Sequence, residues 1–291
     1  PTETTTYYPT SIRRFSLQKD RLKAFQTARA EVSRAVRLPE PNPFVQVPGE
    51  PLPKTRKATI ETQPRVLLFS EGAIGYVLTE NRYSQPKSDI YIRLKTPLAS
   101  NSPEASIMSD LLSDAINEHL NSISYAAALA GAGFSAQATQ SGITLQFSGY
   151  HQSLIPLVNQ ILDSLPIPLI DESTWSRIQQ LKSQSLARIQ AARPSSRLFD
   201  EMTAELMPLA YSNIELNEAF ASIDRQTFHQ YQKAFFSAFK TEMFLHGPVS
   251  RDEGKALLES WVQRLPIDQA TPEVQVTRSE EHRLNSSHLV I

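Results

Sequence analysis

Residues 102–161 read SPEASIMSDLLSDAINEHLNSISYAAALAGAGFSAQATQSGITLQFSGYHQSLIPLVNQI, a helix–hairpin–helix pattern around which the rest of the chain is organised. Ile107, Leu111, Ala115, Leu120, Ile123, Ala127 and Ala130 recur at spacings that keep one side of a long helix apolar. Pro103 suits the first helical position, and Gly131 and Gly133 mark the far end. A hairpin follows, alternating through Phe134, Ala136 and Ala138, turning at Ser141 and Gly142, and resuming with Ile143, Leu145 and Phe147. A second helix then carries Ile155, Val158, Ile161 and Leu162 inward. Nothing in this helix–hairpin–helix unit is an obvious reactive centre.

Working outward toward the N-terminus, DIYIRLKTP alternates Ile90, Ile92 and Leu94 against Tyr91, Arg93 and Lys95, the pattern of a strand covered on one face. Val66 to Phe69 and Gly75 to Leu78 are two short strands joined around Gly72. Seven prolines between positions 39 and 64 remove backbone donors and restrict their neighbours, so residues 39–64 are expected to be an extended connector and a domain boundary. Before it, a helix from Ser16 has apolar positions Leu22, Phe25, Val32 and Val36 and stops near Pro39; residues 1–15 show no periodicity.

Toward the C-terminus, Asp171 caps a long helix with inward Trp175, Ile178, Leu181 and Ile189. A helix over 195–206 ends before Pro208, and the aromatic run from Phe228 through Tyr231, Phe235 and Phe239 to Phe244 is expected to be core rather than a ligand platform. Glu242 to His246 is a strand, and Ser250 with Glu253 forms a capping box for the last helix, through Trp261. The predicted fold class is α+β, an antiparallel sheet covered on one face by helices.

Composition excludes several classes. The 291 residues carry 29 Lys and Arg against 30 Asp and Glu, scattered, which gives no nucleic-acid footprint. No apolar run approaches the roughly 20 residues of a membrane span. The absence of cysteine removes disulfides, thiol catalysis, iron–sulfur clusters and cysteine zinc sites without fixing a compartment. The first residues, PTETTTYYPTSIRRF, lack the charged and apolar regions of a signal peptide and do not start with Met, as expected of a fragment from which any targeting segment was removed or never included.

The chemistry-bearing residues are sparse. Glu118-His119 is the one near match to a zinc-binding helix, which needs two histidines a turn apart, but Ala115 and Ile123 occupy the positions one turn away from His119. His151, His229 and His246 are isolated, no GxSxG elbow frames a serine nucleophile, and Gly131, Gly133, Gly142 and Gly149 make no phosphate cradle. No catalytic, cofactor-binding or metal-binding residue is assigned.

A resemblance becomes specific at LPEPNPFV, PRVLLFSE, SDIYIRLKTPLAS, the block from Ser109 to Leu162, Asp171 through Gln190, and FLHGPVS. Together these resemble the non-catalytic C-terminal half of the pitrilysin and insulin-degrading-enzyme type of M16 zinc metallopeptidase, over residues 7–277. The resemblance implies a parent built of four related α+β domains closing around a peptide chamber. On it, residues 1–38 end the preceding, helical domain, 39–64 are the connector, 65–270 are the third domain, and 271–277 start a connector to a missing fourth domain. Residues 278–291, RSEEHRLNSSHLVI, depart from the family and look like translated sequencing adapter, so His282 and His288 are not counted as ligands.

The family's HxxEH motif and downstream Glu have no match here. The implied parent is a zinc metalloendopeptidase that hydrolyses peptides, with this segment expected to bind no zinc, to be inactive alone, and to line part of the chamber with its sheet through the 134–147 hairpin. Its implied partners are the missing N-terminal catalytic half, the fourth domain and peptide substrates, with no nucleic acid and no membrane span. The alternatives are a non-catalytic scaffold or partner subunit of a two-subunit M16-type peptidase, and a peptide-binding module.

Overall fold

A computed structural model describes residues 3, 4, 7, 11–13, 15–35, 41–45, 63–80, 85–237 and 239–267. The connector stretch 46–62, Val36, and the whole of 271–277 and 278–291 with His282 and His288 lie outside the described residues. The chain divides into two compact units, Pro1–Pro41 and Asn42–Ile291.

In the first unit, β1 (Glu3–Thr4) and β2 (Ser11–Ile12) pair antiparallel, a short ladder that hydrophobic periodicity does not announce. Helix α1 (Lys19–Ala35) follows, its Leu22 and Phe25 exposed.

The second unit is built on a six-stranded sheet. Its strands are β3 (Arg65–Ser70), β4 (Ala73–Thr79), β5 (Lys87–Lys95), β6 (Ala132–Thr139), β7 (Gly142–Tyr150) and β8 (Lys240–Gly247), in the order β3-β4-β8-β5-β7-β6. Every neighbouring pair is antiparallel except β4 and β8, which run parallel from Ala73↔Thr241 to Thr79↔Gly247. β8 returns only after all but one of the unit's helices have formed, so no tight turn dictates its direction, and it fills the slot between β4 and β5.

Period-two alternation puts Val77, Ile92, Leu145 and Met243 on one face, each 1% exposed or less. Helices α2 (Pro103–His119), α4 (His151–Asp163) and α9 (Arg251–Arg264) cover that face. The close approach of α9 needs Gly75 and Gly254: a Cβ on the first would lie 2.7 Å from Leu258, and on the second 2.9 Å from Val77. Trp261 Nε1 donates to Asn159 Oδ1 at 3.0 Å, tying α9 to α4.

The predicted single helix over the first half of the central stretch is two. Leu120, at φ −93° and ψ 6°, leaves the helical basin and separates α2 from α3 (Asn121–Leu129). The stretch 39–64 is not extended throughout: around Asn42 the chain turns, Phe44 is 3% exposed in the core, and Asn42 Nδ2 donates to the Ala126 carbonyl at 2.6 Å.

Outside α2 lie α5 (Glu172–Gln190), α7 (Asn213–Ser222) and α8 (Arg225–Ser237), with α6 (Pro194–Leu206) between α5 and α7 in the chain. Trp175 and Ile178 are buried as their spacing predicts, whereas Leu181 is 55% exposed, lying off the side of α5 that buries Trp175, Ile178 and Leu186. Phe228, Tyr231, Phe235 and Phe239 are core, as expected; Phe244 departs from them, since its place in β8 points it to the opposite face of the sheet.

Tyr231 offers a pH test of this packing. Burial pushes its phenol up to about 12, against a lowering by the Ser109 hydrogen bond (2.6 Å) and a small further rise from Asp110. The folded chain therefore keeps a proton that the unfolded chain loses near pH 10, so stability is full below pH 10 and falls as pH climbs toward 12. The expected alkaline loss is about 2 kcal/mol. Tyr231→Phe should remove that loss in urea titrations run from pH 8 to 12; an unchanged alkaline slope would show that the phenol does not titrate as described.

Candidate functional site

The alternation that buries one face of the sheet presents the other. In β5 the outward residues are Asp89, Tyr91, Arg93 and Lys95; in β8 they are Lys240, Glu242, Phe244 and His246; in β4, Ile74, Tyr76 and Leu78. Register sets them side by side, with Tyr76 opposite Phe244, Phe244 opposite Tyr91, and Tyr91 opposite Gln146 of β7. The Tyr91 and Phe244 rings stack at 6.3 Å and 25°, and Phe244 and His246 at 6.3 Å and 4°. Gln146 Nε2 donates to the Tyr91 hydroxyl at 3.4 Å. An aromatic row thus crosses the middle of this face.

Charge borders the row on both sides. Arg93 Nη1 and Lys95 Nζ stand 3.4 Å and 3.6 Å from Glu242 Oε2, and His246 Nδ1 stands 3.7 Å from Asp89 Oδ2. All these groups are partly exposed, so the pairs stabilise the fold little and remain available to a ligand's charges. A depression of about 320 Å³ next to Phe69, Ile74 and Lys240 lies at one end. A second, of about 600 Å³, lies at the other, by Glu80, Lys87, Ser148 and His246. Such a surface can hold an extended chain through apolar, aromatic and ionic contact, but it has no nucleophile paired with a base.

Of the 134–147 hairpin, the apolar residues Ala136, Ile143, Leu145 and Phe147 face the helices. The residues it contributes to the open face are the polar Ser135, Gln137, Thr144 and Gln146. Phe244 and Tyr91 could have been found in the sequence as the second register of the same alternating strands.

The histidines stand apart. His119 is exposed at the end of α2. His151 is buried, with Nδ1 2.7 Å from Ser88 Oγ and Nε2 3.4 Å from Glu253 Oε1. His229 Nε2 lies 3.0 Å from the Ile170 carbonyl, and His246 is on the open face. Among the described residues there is no group of three or more His, Cys, Asp or Glu that could hold a metal ion.

Asp110, Asp114 and Glu118 line a cleft of about 590 Å³ between α2 and α5. Lys182 pairs with Asp110, and Arg177 with Glu118. Burial raises the Asp114 carboxyl above the usual carboxylate range; Lys182 lowers it and Asp110 raises it further. Two carboxylates already matched by cations, with no imidazole alongside, do not fit a zinc ion.

The outer edge of the sheet at β6 is closed by a side chain. Asn117 Nδ2 donates to the Ala136 carbonyl at 2.8 Å, and the Ala136 N–H donates to Asn117 Oδ1 at 2.8 Å. One amide from α2 thereby satisfies both outward groups at the middle of an edge strand.

The fold is thus a mixed α+β domain whose sheet is packed by helices on one face. The family description "Middle or third domain of peptidase_M16" matches residues 1–219. The chain belongs to the M16 peptidase family and corresponds to its middle, non-catalytic portion.

Among its relatives, insulin-degrading enzyme of Homo sapiens is 23% identical over 255 residues, covering 87% of this chain and 24% of that protein. The A-factor-processing enzyme of Saccharomyces cerevisiae is 23% identical over 222 residues, covering 75% and 21%. The crystal structure of pitrilysin superposes with a TM-score of 0.75 at 18% identity, over 94% of this chain and 29% of that one. A peptidase M16 inactive domain from Pseudomonas fluorescens gives a TM-score of 0.52 at 15% identity, over 74% and 53%. The structural likenesses establish the fold. The chain spans about a quarter of the length of the curated relatives it matches.

Proposed function

We propose that this chain is a segment of a zinc-dependent M16 metalloendopeptidase, and that the open face of its sheet forms part of the wall of a peptide-enclosing chamber. Zinc and the water-activating carboxylate then belong to another segment of the longer protein, and residues 65–270 act as its third domain, after the end of a preceding domain in 1–38. The observation that carries the reading is the aromatic row Tyr76, Phe244 and Tyr91, flanked by paired charges, on a sheet face that α2, α4 and α9 leave open. A wall of this kind contributes by confining and orienting an extended peptide, without supplying a reacting group. A scaffold or partner subunit with the same fold is the second reading, favoured by the lack of any catalytic donor set among the described residues.

The test is the double variant Tyr91→Ser, Phe244→Ser in the full-length protein. Both side chains lie off the core, so the domain should still fold. KM for long peptides should rise roughly tenfold with kcat nearly unchanged, the signature of lost uniform binding. Unaltered KM and cleavage pattern for every peptide tried would rule out the wall contact, and no chelator-sensitive hydrolysis by the unmodified full-length protein would favour the scaffold reading.

A further inference from the structure

Helix α6 presents a second, separate surface. It buries none of its residues, yet Leu198, Phe199, Met202 and Leu206 are 60%, 69%, 45% and 73% exposed. At 100° per residue these four fall within an arc of about 100°, a continuous apolar stripe rather than scattered surface residues. Met207, 52% exposed, extends the stripe past the helix end. Just beyond it, Leu209 holds φ 60°, a left-handed conformation that a leucine adopts only when its surroundings impose it. A short helix with its whole apolar stripe in water has little to hold it folded, because in proteins most helical stability comes from packing such a stripe.

We infer that the α6 stripe is the docking surface for another domain of the same longer polypeptide. This rests on the multidomain M16 reading given above. The chain covers only 24% of the human relative and 29% of the pitrilysin chain, so proteins of this kind carry most of their mass in further segments able to meet this one. Charge narrows the occupant. On the helix Glu201 and Glu205 flank one side of the stripe, while Asp200 and the single cation Arg197 lie on the opposite face. That acidic flank repels an anionic lipid surface and selects a protein face with Lys or Arg beside its apolar centre.

The experiment places the photo-crosslinking residue p-benzoylphenylalanine at position 199 of the full-length protein. A control carries it at position 197, on the far side of the helix. After irradiation the expected product has the mass of a monomer, with position 199 joined to a peptide from outside residues 1–291, and position 197 gives none. A product of twice the monomer mass would assign the stripe to a second copy and overturn the proposal. So would the absence of any crosslink at 199 in protein whose circular dichroism and elution volume match the unmodified form. The same preparation is assayed for chelator-sensitive peptide hydrolysis. Hydrolysis without the crosslink sinks the docking surface alone; the crosslink without hydrolysis sinks the peptidase reading alone.

Discussion

Replacing Gly142 by alanine is expected to destabilise the second unit by at least about 3 kcal/mol, a large share of the 5–15 kcal/mol that holds a typical domain folded. Gly142 starts β7 at φ 144°, a conformation that an L side chain rarely adopts. A Cβ there would lie 1.8 Å from the Leu94 carbonyl oxygen and 2.9 Å from its carbon. These are backbone atoms of β5, paired with β7 on one side and β8 on the other, so they cannot swing aside as a side-chain tip would. Relief requires breaking the register at Lys95↔Gly142, where the hairpin joins the rest of the sheet. Urea unfolding of the variant would measure the loss, and a change below about 1 kcal/mol would mean that the turn is looser than described.

The second large effect belongs to Asn117. Asn117→Ala leaves the N–H and carbonyl of Ala136 without their partner, each at a cost of roughly 1–3 kcal/mol, so a total of about 2–6 kcal/mol is expected. The variant also uncovers the middle of an edge strand, which then offers paired donors and acceptors to another chain. It should elute earlier than the unmodified chain in size-exclusion chromatography, increasingly so with concentration. Asn117→Asp keeps the acceptor for the Ala136 N–H and loses the donor, so it should fall between the two. If Asn117→Ala stayed monomeric and lost under about 0.5 kcal/mol, the amide would not be closing the edge.

The sheet was legible because its strands alternate cleanly: Ile90, Ile92 and Leu94 are buried without exception. The helix ends were legible where capping chemistry is local, as at Asp171, which accepts from the Thr174 N–H at 2.8 Å, and at the Ser250 and Glu253 box. The same box at Ser212 and Glu215 marks α7, but its apolar residues are too irregular to reveal the helix by period. Less legible were features that depend on what comes near in space. Leu181 has the spacing of an inward residue yet faces solvent, and Phe44 sits among prolines yet packs into the core. Asn117 looks like any polar helix residue until β6 is set beside it.

The surfaces offered to ligands follow the same division. Tyr91 and Phe244 could be assigned to one face from alternation alone, but their stacking requires the order β5 next to β8, which joins segments about 150 residues apart in the chain. For Asp110 and Glu118 the sequence shows two acids on a helix, and only the fold brings Lys182 and Arg177 of α5 against them. That pairing commits two of the three acids lining the α2–α5 cleft to cations.

If, as proposed, this chain supplies surface and leaves catalysis to another segment, the 291-residue chain can be purified, equilibrated with zinc and freed of unbound metal, and its bound zinc measured together with hydrolysis of a quenched fluorescent peptide. The expected result is no stoichiometric zinc and no cleavage above that of buffer. One zinc per chain, with hydrolysis abolished by a chelator and restored by zinc in protein free of contaminating protease, would contradict it.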